Sequence, residues 1–203
     1  MSLENLETIL QTTPAGRQTI ADVDTLKTSG YSFDIKLLST DQLLQKNGHS
    51  GGAFDRIQQT ITIFINNILS ENDQAHVVAH EMVHVLDDLE IDQVLTEHLN
   101  IELAVENFLQ NYKKQKLSSF DKNVVSYVIG TLFCSESRAY QRNQILNEQG
   151  LTSVNFSHDD IANFIDENYI FSFGTKYGAK AEAMNSWCLS KGSMTEIQKT
   201  LIW

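Results

Sequence analysis

The sequence predicts an α+β domain: a small N-terminal β-sheet packed on one central helix, followed by a mostly helical remainder. Three observations predict it. Strand-like alternation of apolar and polar residues is confined to residues 31 to 66. From about residue 70 onward apolar residues recur at steps of three and four, with capping signals between the runs. The composition, 203 residues with 41% hydrophobic and 20% charged, is that of a globular chain long enough to bury a sizeable core.

Residues 3 to 29 read as helix, broken at Thr13-Pro14-Ala15-Gly16, which holds the sole proline. Tyr31, Phe33, Ile35 and Leu37 then alternate with Ser32, Asp34 and Lys36, the period of a half-buried strand. After the loop Asn47 to Gly52, where His49 reads as a surface residue, a second strand near Ala53 to Ile57 turns into a third at Thr60 to Asn66. Ile61, Ile63 and Ile65 share one face of that third strand. Ser70 with Asp73 resembles a capping box that starts the central helix near Glu71, with its end expected around Leu89.

A second helical pattern carries Leu95, Leu99, Val105, Phe108, Leu109 and Tyr112, and Lys113, Lys114 and Lys116 complement its C-terminal dipole. Ser118 or Ser119 caps the next helix, which ends before Gly150, a candidate left-handed residue. Ser157 and Asp160 precede a helix through Ile161, Phe164 and Ile165, and two short helical patterns, one with Trp187, run to Trp203. The expected division is residues 1–150 as the site-bearing domain and 151–203 as a helical extension packed on it.

The central helix carries His80-Glu81-Met82-Val83-His84. Residues i and i+4 share a helix face, so both imidazoles reach one ion, and zinc takes neutral imidazole nitrogens readily. Glu81, about 100° around the helix from His80, borders that face and can take a proton from a metal-activated water. Five letters arise by chance about once per hundred chains of this length, so context decides. On a helical wheel Ala75, Val78, Met82, Val85, Leu86 and Leu89 fall on a packing side, and Val77, His80, Glu81, His84 and Asp88 on a chemical side. His76 reads as a surface residue near the helix start, and Asp87 and Asp88 as solvated.

Through His80-Glu81-Met82-Val83-His84 the chain resembles the zincin metallopeptidases. The metzincin branch needs glycine at position 87 and histidine at 90, where Asp87 and Glu90 stand. Peptide deformylases use an upstream cysteine, but Cys134 and Cys188 lie downstream. The gluzincin branch takes a glutamate from a later helix, and Glu136-Ser137-Arg138-Ala139-Tyr140 is similar to the Glu-x-x-Ala-(Tyr/Phe) of small bacterial and phage gluzincins. Independently, Ile129, Leu132, Phe133, Ala139 and Tyr140 surround Glu136 on one stripe, and a buried carboxylate needs a partner such as a metal. The alternative is a glutamate satisfied by Arg138 or reaching water at the stripe's edge; Glu90, Glu97 and Glu102 are competing ligands. Many gluzincins place an aspartate where Tyr140 stands, so the partner orienting the ligand histidine is left open here.

The resemblance implies a zincin-like fold and a zinc-dependent peptidase acting on a protein or peptide substrate. His80, His84 and Glu136 are the implied ligands and Glu81 the general base, with a sheet edge beside the helix pairing with the substrate. His158, Tyr169 and Tyr177 are candidate donors to a transition-state oxyanion. Two rivals remain: a catalytically silent zincin-fold binding module, and the same chemistry in a delivered toxin or effector. The formal net charge of −11 argues against nucleic-acid and anionic-membrane surfaces. Two cysteines without close spacing point to reduced thiols, and no signal or spanning segment is apparent, so cytoplasmic location is the default, with export by another route open. Oligomeric state is not legible.

Overall fold

The computed structural model of the chain describes residues 3–47, 51–111, 114–168 and 181–202. Among these it is α+β and mostly helical, in the order α1 (Leu3–Leu10), α2 (Pro14–Thr28), β1 (Ser32–Leu38), α3 (Thr40–Asn47), β2 (Gly52–Ile57), β3 (Thr60–Asn66), α4 (Glu71–Glu97), α5 (Leu99–Asn111), α6 (Lys122–Glu148), α7 (Ile161–Asn168), α8 (Ala181–Leu189) and α9 (Met194–Leu201). Residues cluster into two compact units, one of residues 1–85 and 139–158, the other of 86–138 and 159–203. The helices α4 and α6 each contribute residues to both. No helix among the described residues is long and apolar enough to cross a membrane.

In the first unit Thr13 caps α2 by accepting from Gly16 N, and Pro14 stands at the first helical position, where its missing N–H costs nothing. Gly16 is required there because a Cβ would lie 2.0 Å from the Leu10 carbonyl oxygen. The sheet order is β1-β3-β2, with β1 parallel and β2 antiparallel to β3. The registers place Phe33 beside Ile61 and Ile35 beside Ile63, with Phe54 and Gly52 completing that face from β2. Ile61, Ile63 and Ile65 are fully buried, and Phe33 and Ile35 line a small apolar cavity with Leu6, Leu10, Val23 and Val78. The other face buries Ala53 and Phe64 against Leu43 of α3, a helix with no counterpart in the sequence pattern.

The central helix begins where expected. Ser70 Oγ accepts from Asp73 N at 3.2 Å and donates to the Asp73 carboxylate at 2.6 Å. Its end is corrected from Leu89 to Glu97: neither glycine nor proline interrupts residues 90 to 97, Val94 is fully buried, and the Glu90 carboxylate accepts from Thr195 N at 2.8 Å. The two-sided wheel is corrected as well, since every residue from Asp73 to Val83 is buried, His76 and His80 included, and His84 is half-buried. A helix covered all round needs partners for its polar side chains as well as for its apolar ones.

In the second unit Cys134 of α6 and Cys188 of α8 form a disulfide, so the expectation of reduced thiols is corrected. Spacing along the chain could not show this, because the two sulfurs meet only when α6 and α8 pack. Val105 and Phe108 of α5 are buried, but Leu99 and Leu109, expected on the same stripe, are exposed. The cap of α6 is Asp121, whose Oδ1 accepts from Asn123 N at 2.7 Å, after a short 3-10 turn at Leu117–Ser119. The helix closes at Gly150, φ 97°, with Leu151 N bonded to Leu146 O and Gly150 N to Asn147 O, the paired bonds that satisfy the last carbonyls. His49, Tyr112, Lys113, Tyr169 and Tyr177 lie outside the described residues.

Asp73 generates a pH prediction. Burial alone would raise its carboxyl, but hydrogen bonds from Ser153, Ser70 and Asn155 outweigh this and hold it below the ordinary value. A depressed folded-state pKa supplies stability that is full above the unfolded value near 4 and lost as pH falls through the folded one. Asp73→Asn should therefore cost about 1–3 kcal/mol in urea unfolding at neutral pH. The gap from wild type should narrow steadily below about pH 4.

Candidate metal centre

His80 and His84 project from one side of α4 a single turn apart, with Nε2 atoms 3.1 Å from each other. One ligand atom from each of His80, His84 and Glu136 lie together within 4.8 Å, and among the described residues this is the one such group of three. The edge of a zinc tetrahedron with nitrogen and oxygen ligands is about 3.3 Å. The imidazole pair already has about that spacing, and the carboxylate oxygen lies within 4.8 Å of both nitrogens. Two neutral imidazoles and one carboxylate, with a fourth position left for water, are also the donor set that zinc takes in hydrolytic sites. The residues present therefore fit the ion.

The fold holds each of these side chains by its neighbours. Asn143, fully buried, lies with Nδ2 3.1 Å from His80 Nδ1. Tyr140 packs edge-on against the His80 ring at 4.6 Å and against His158 at 5.4 Å. Where many gluzincins carry aspartate, this chain thus has an aromatic wall. Phe156 adds a second ring, 5.8 Å from His80 and stacked on His76 at 6.0 Å. Burial keeps His158 below the ordinary histidine pKa, so near neutrality it is a neutral imidazole.

His76 corrects the surface reading. It is fully buried, with Nε2 2.6 Å from the Leu151 carbonyl oxygen. Burial is the main cause that lowers its pKa, outweighing that hydrogen bond and the Asp73 charge. Asp87 is corrected too: it is almost fully buried, accepting from Ser135 Oγ at 2.9 Å and from Arg138 Nε at 3.1 Å. Arg138, the cation weighed as a partner for Glu136, donates its Nε–H to Asp87. Around Glu136 the expected stripe is buried at Ile129, Phe133, Ala139 and Tyr140, whereas Leu132 is exposed and Glu136 itself only half-buried. Of the competing ligands, Glu90 is occupied at the start of α9 and Glu97 is exposed.

Asn143 and Gly52 were missed by the sequence reading. Asn143 had a signal, since it continues the Glu136 face of α6 seven residues on, where a polar residue interrupts an apolar stripe. Gly52 had none. It lies on the edge strand β2, and a Cβ there would stand 2.3 Å from Val77 Cγ1 and 3.5 Å from Glu81 Oε1. Glu81 thus lies beside the start of β2, an edge strand of the sheet.

Comparison of the chain with protein-family models, with curated proteins and with solved structures finds no match.

Gly52→Ala tests this approach of helix to strand. Val77 is buried and β-branched on a helix, so its side chain cannot rotate away from the new methyl group. The substitution should lower stability by about 1–3 kcal/mol, measured as a shift of the denaturation midpoint. An unchanged midpoint would show that α4 and β2 are further apart than described.

Proposed function

We propose that this chain is a zinc-dependent metallopeptidase of the gluzincin kind, with a zincin-like arrangement of sheet, central helix and later ligand helix. The observation that carries the reading is the convergence of His80, His84 and Glu136, with donor atoms within 4.8 Å, around the sequence His80-Glu81-Met82-Val83-His84. A purely structural zinc site has no use for a carboxylate at position 81 and closes its fourth position with protein.

Bound there, zinc supplies a Lewis acid for the scissile carbonyl and lowers the pKa of a coordinated water to about 7. Glu81 takes the proton and hands it to the departing amine, acting first as base and then as acid. β2 is an edge strand of the sheet and its first residue, Gly52, adjoins the Glu81 carboxylate, so an extended peptide added alongside β2 would run past the candidate base. Tyr140 and His158 wall the imidazole side of the site, and the His158 ring is a neutral donor within that wall. The Asp87 oxygens accept from Ser135 and Arg138. The Cys134–Cys188 disulfide favours work in an oxidising compartment over the reducing cytoplasm, which fits an exported or delivered peptidase.

Two substitutions separate ligand from base. Glu136→Ala should weaken zinc binding by more than about 100-fold, the upper end of what loss of an outer partner costs, measured by competition with a chromophoric chelator. Zinc held as tightly as in wild type would remove Glu136 from the ligand set. Glu81→Gln should retain one zinc per chain by elemental analysis while peptide turnover falls by about 10²- to 10⁴-fold. Undiminished turnover would exclude Glu81 as the base.

A further inference from the structure

Asn143 lies two turns beyond Glu136 on the same face of α6 and is fully buried. Its Nδ2 faces His80 Nδ1 at 3.1 Å. At the other end of the amide, Oδ1 meets no hydrogen-bond partner among the described residues, and neither does Nδ1 of the equally buried His76. The Asn143 amide adjoins the His76 ring closely enough to bear on its protonation. Two buried acceptors thus lie in one neighbourhood with no proton between them, while an N–H points at His80.

The tautomer of His76 resolves the arrangement. Its Nε2 is 2.6 Å from the Leu151 carbonyl oxygen, which can only accept, so Nε2 carries the proton and Nδ1 is an acceptor. The oxygen and nitrogen of a side-chain amide exchange places by a half-turn about the last bond. After that turn Nδ2–H donates to His76 Nδ1 and Oδ1 accepts from His80 Nδ1–H, and both orphaned atoms are satisfied. We propose that Asn143, oriented by His76, is a positioning residue that holds the proton of His80 on Nδ1 and leaves Nε2 bare for the metal. Nε2 of His80 is the nitrogen that faces His84 Nε2, and therefore the one on the candidate centre. The chain of bonds runs from the Leu151 carbonyl through His76 and Asn143 to His80. The inference rests on the reading of His80 as a ligand, and it gives the buried histidine at position 76 a function.

Nitrogen-15 histidine labelling and two-bond proton–nitrogen correlation spectra of the metal-free protein read each tautomer directly. His80 should be protonated at Nδ1 and His76 at Nε2; a His80 proton on Nε2 in wild type overturns the proposal. Asn143→Leu, shown folded by circular dichroism, should lose the fixed His80 tautomer and bind zinc about 10- to 100-fold more weakly. Asn143→Asp, whose carboxylate still accepts from His80 Nδ1–H, should keep the tautomer and recover most of that affinity. A folded leucine variant that binds zinc within about twofold of wild type also overturns the proposal. If the leucine variant fails to fold, the wild-type spectra and the aspartate variant decide. Because the tautomers are read without metal, failure of the protein to bind zinc at all counts against the peptidase reading alone, and a wrong His80 tautomer counts against the relay alone.

Discussion

A helix rich in polar side chains and buried on every face is the constraint from which the rest follows. Between Asp73 and Val83 α4 has no solvated side, so each polar group on it has given up water and needs a replacement. The replacements come in order along the helix. Ser70 and Ser153 hold Asp73, the Leu151 carbonyl holds His76, Asn143 faces His80, and Ser135 with Arg138 holds Asp87. Several of these partners lie on α6 or just after it, which is why a long second helix and the chain leaving it recur at every level of the site.

The segment after α6 does more than its irregular backbone suggests. Gly150, at positive φ, ends the helix with its last carbonyls satisfied and turns the chain back at Leu151. Within eight residues it supplies a carbonyl to His76, a hydroxyl to Asp73, the Phe156 ring beside His80 and the His158 ring beside Tyr140. Leu151 and Ser153 are buried accordingly, although Thr152 and Val154 between them are exposed. Alternate residues of one short stretch thus anchor the chain and face solvent in turn.

The strands, the start of α4 and the end of α6 were legible because each is decided by neighbours in the chain: alternation at residues 31 to 37, the Ser70–Asp73 cap and the glycine at 150. That His80, His84 and Glu136 lie together was foreshadowed for a similar reason, since helical spacing and an apolar stripe are one-dimensional patterns. The reach of α4 to Glu97 was not, because its last turns are held by Val94 and by Glu90 at Thr195, a contact across 105 positions. Leu99, Leu109 and Leu132 were misjudged in the same way: a helical stripe shows that a face is apolar without showing that anything covers it.

Local order along the chain determined which residue types are available for chemistry and which stretches are strand or helix, because dihedral preference, capping and periodicity act over a few residues. Packing alone decided that His76 and Asp87 leave water, that Cys134 meets Cys188, that Gly52 lets the sheet approach Glu81, and that Asn143 stands behind His80. Those outcomes depend on which surfaces meet across 25 to 75 positions of chain, and the free energy of burying a polar group is set by what lies opposite it in space.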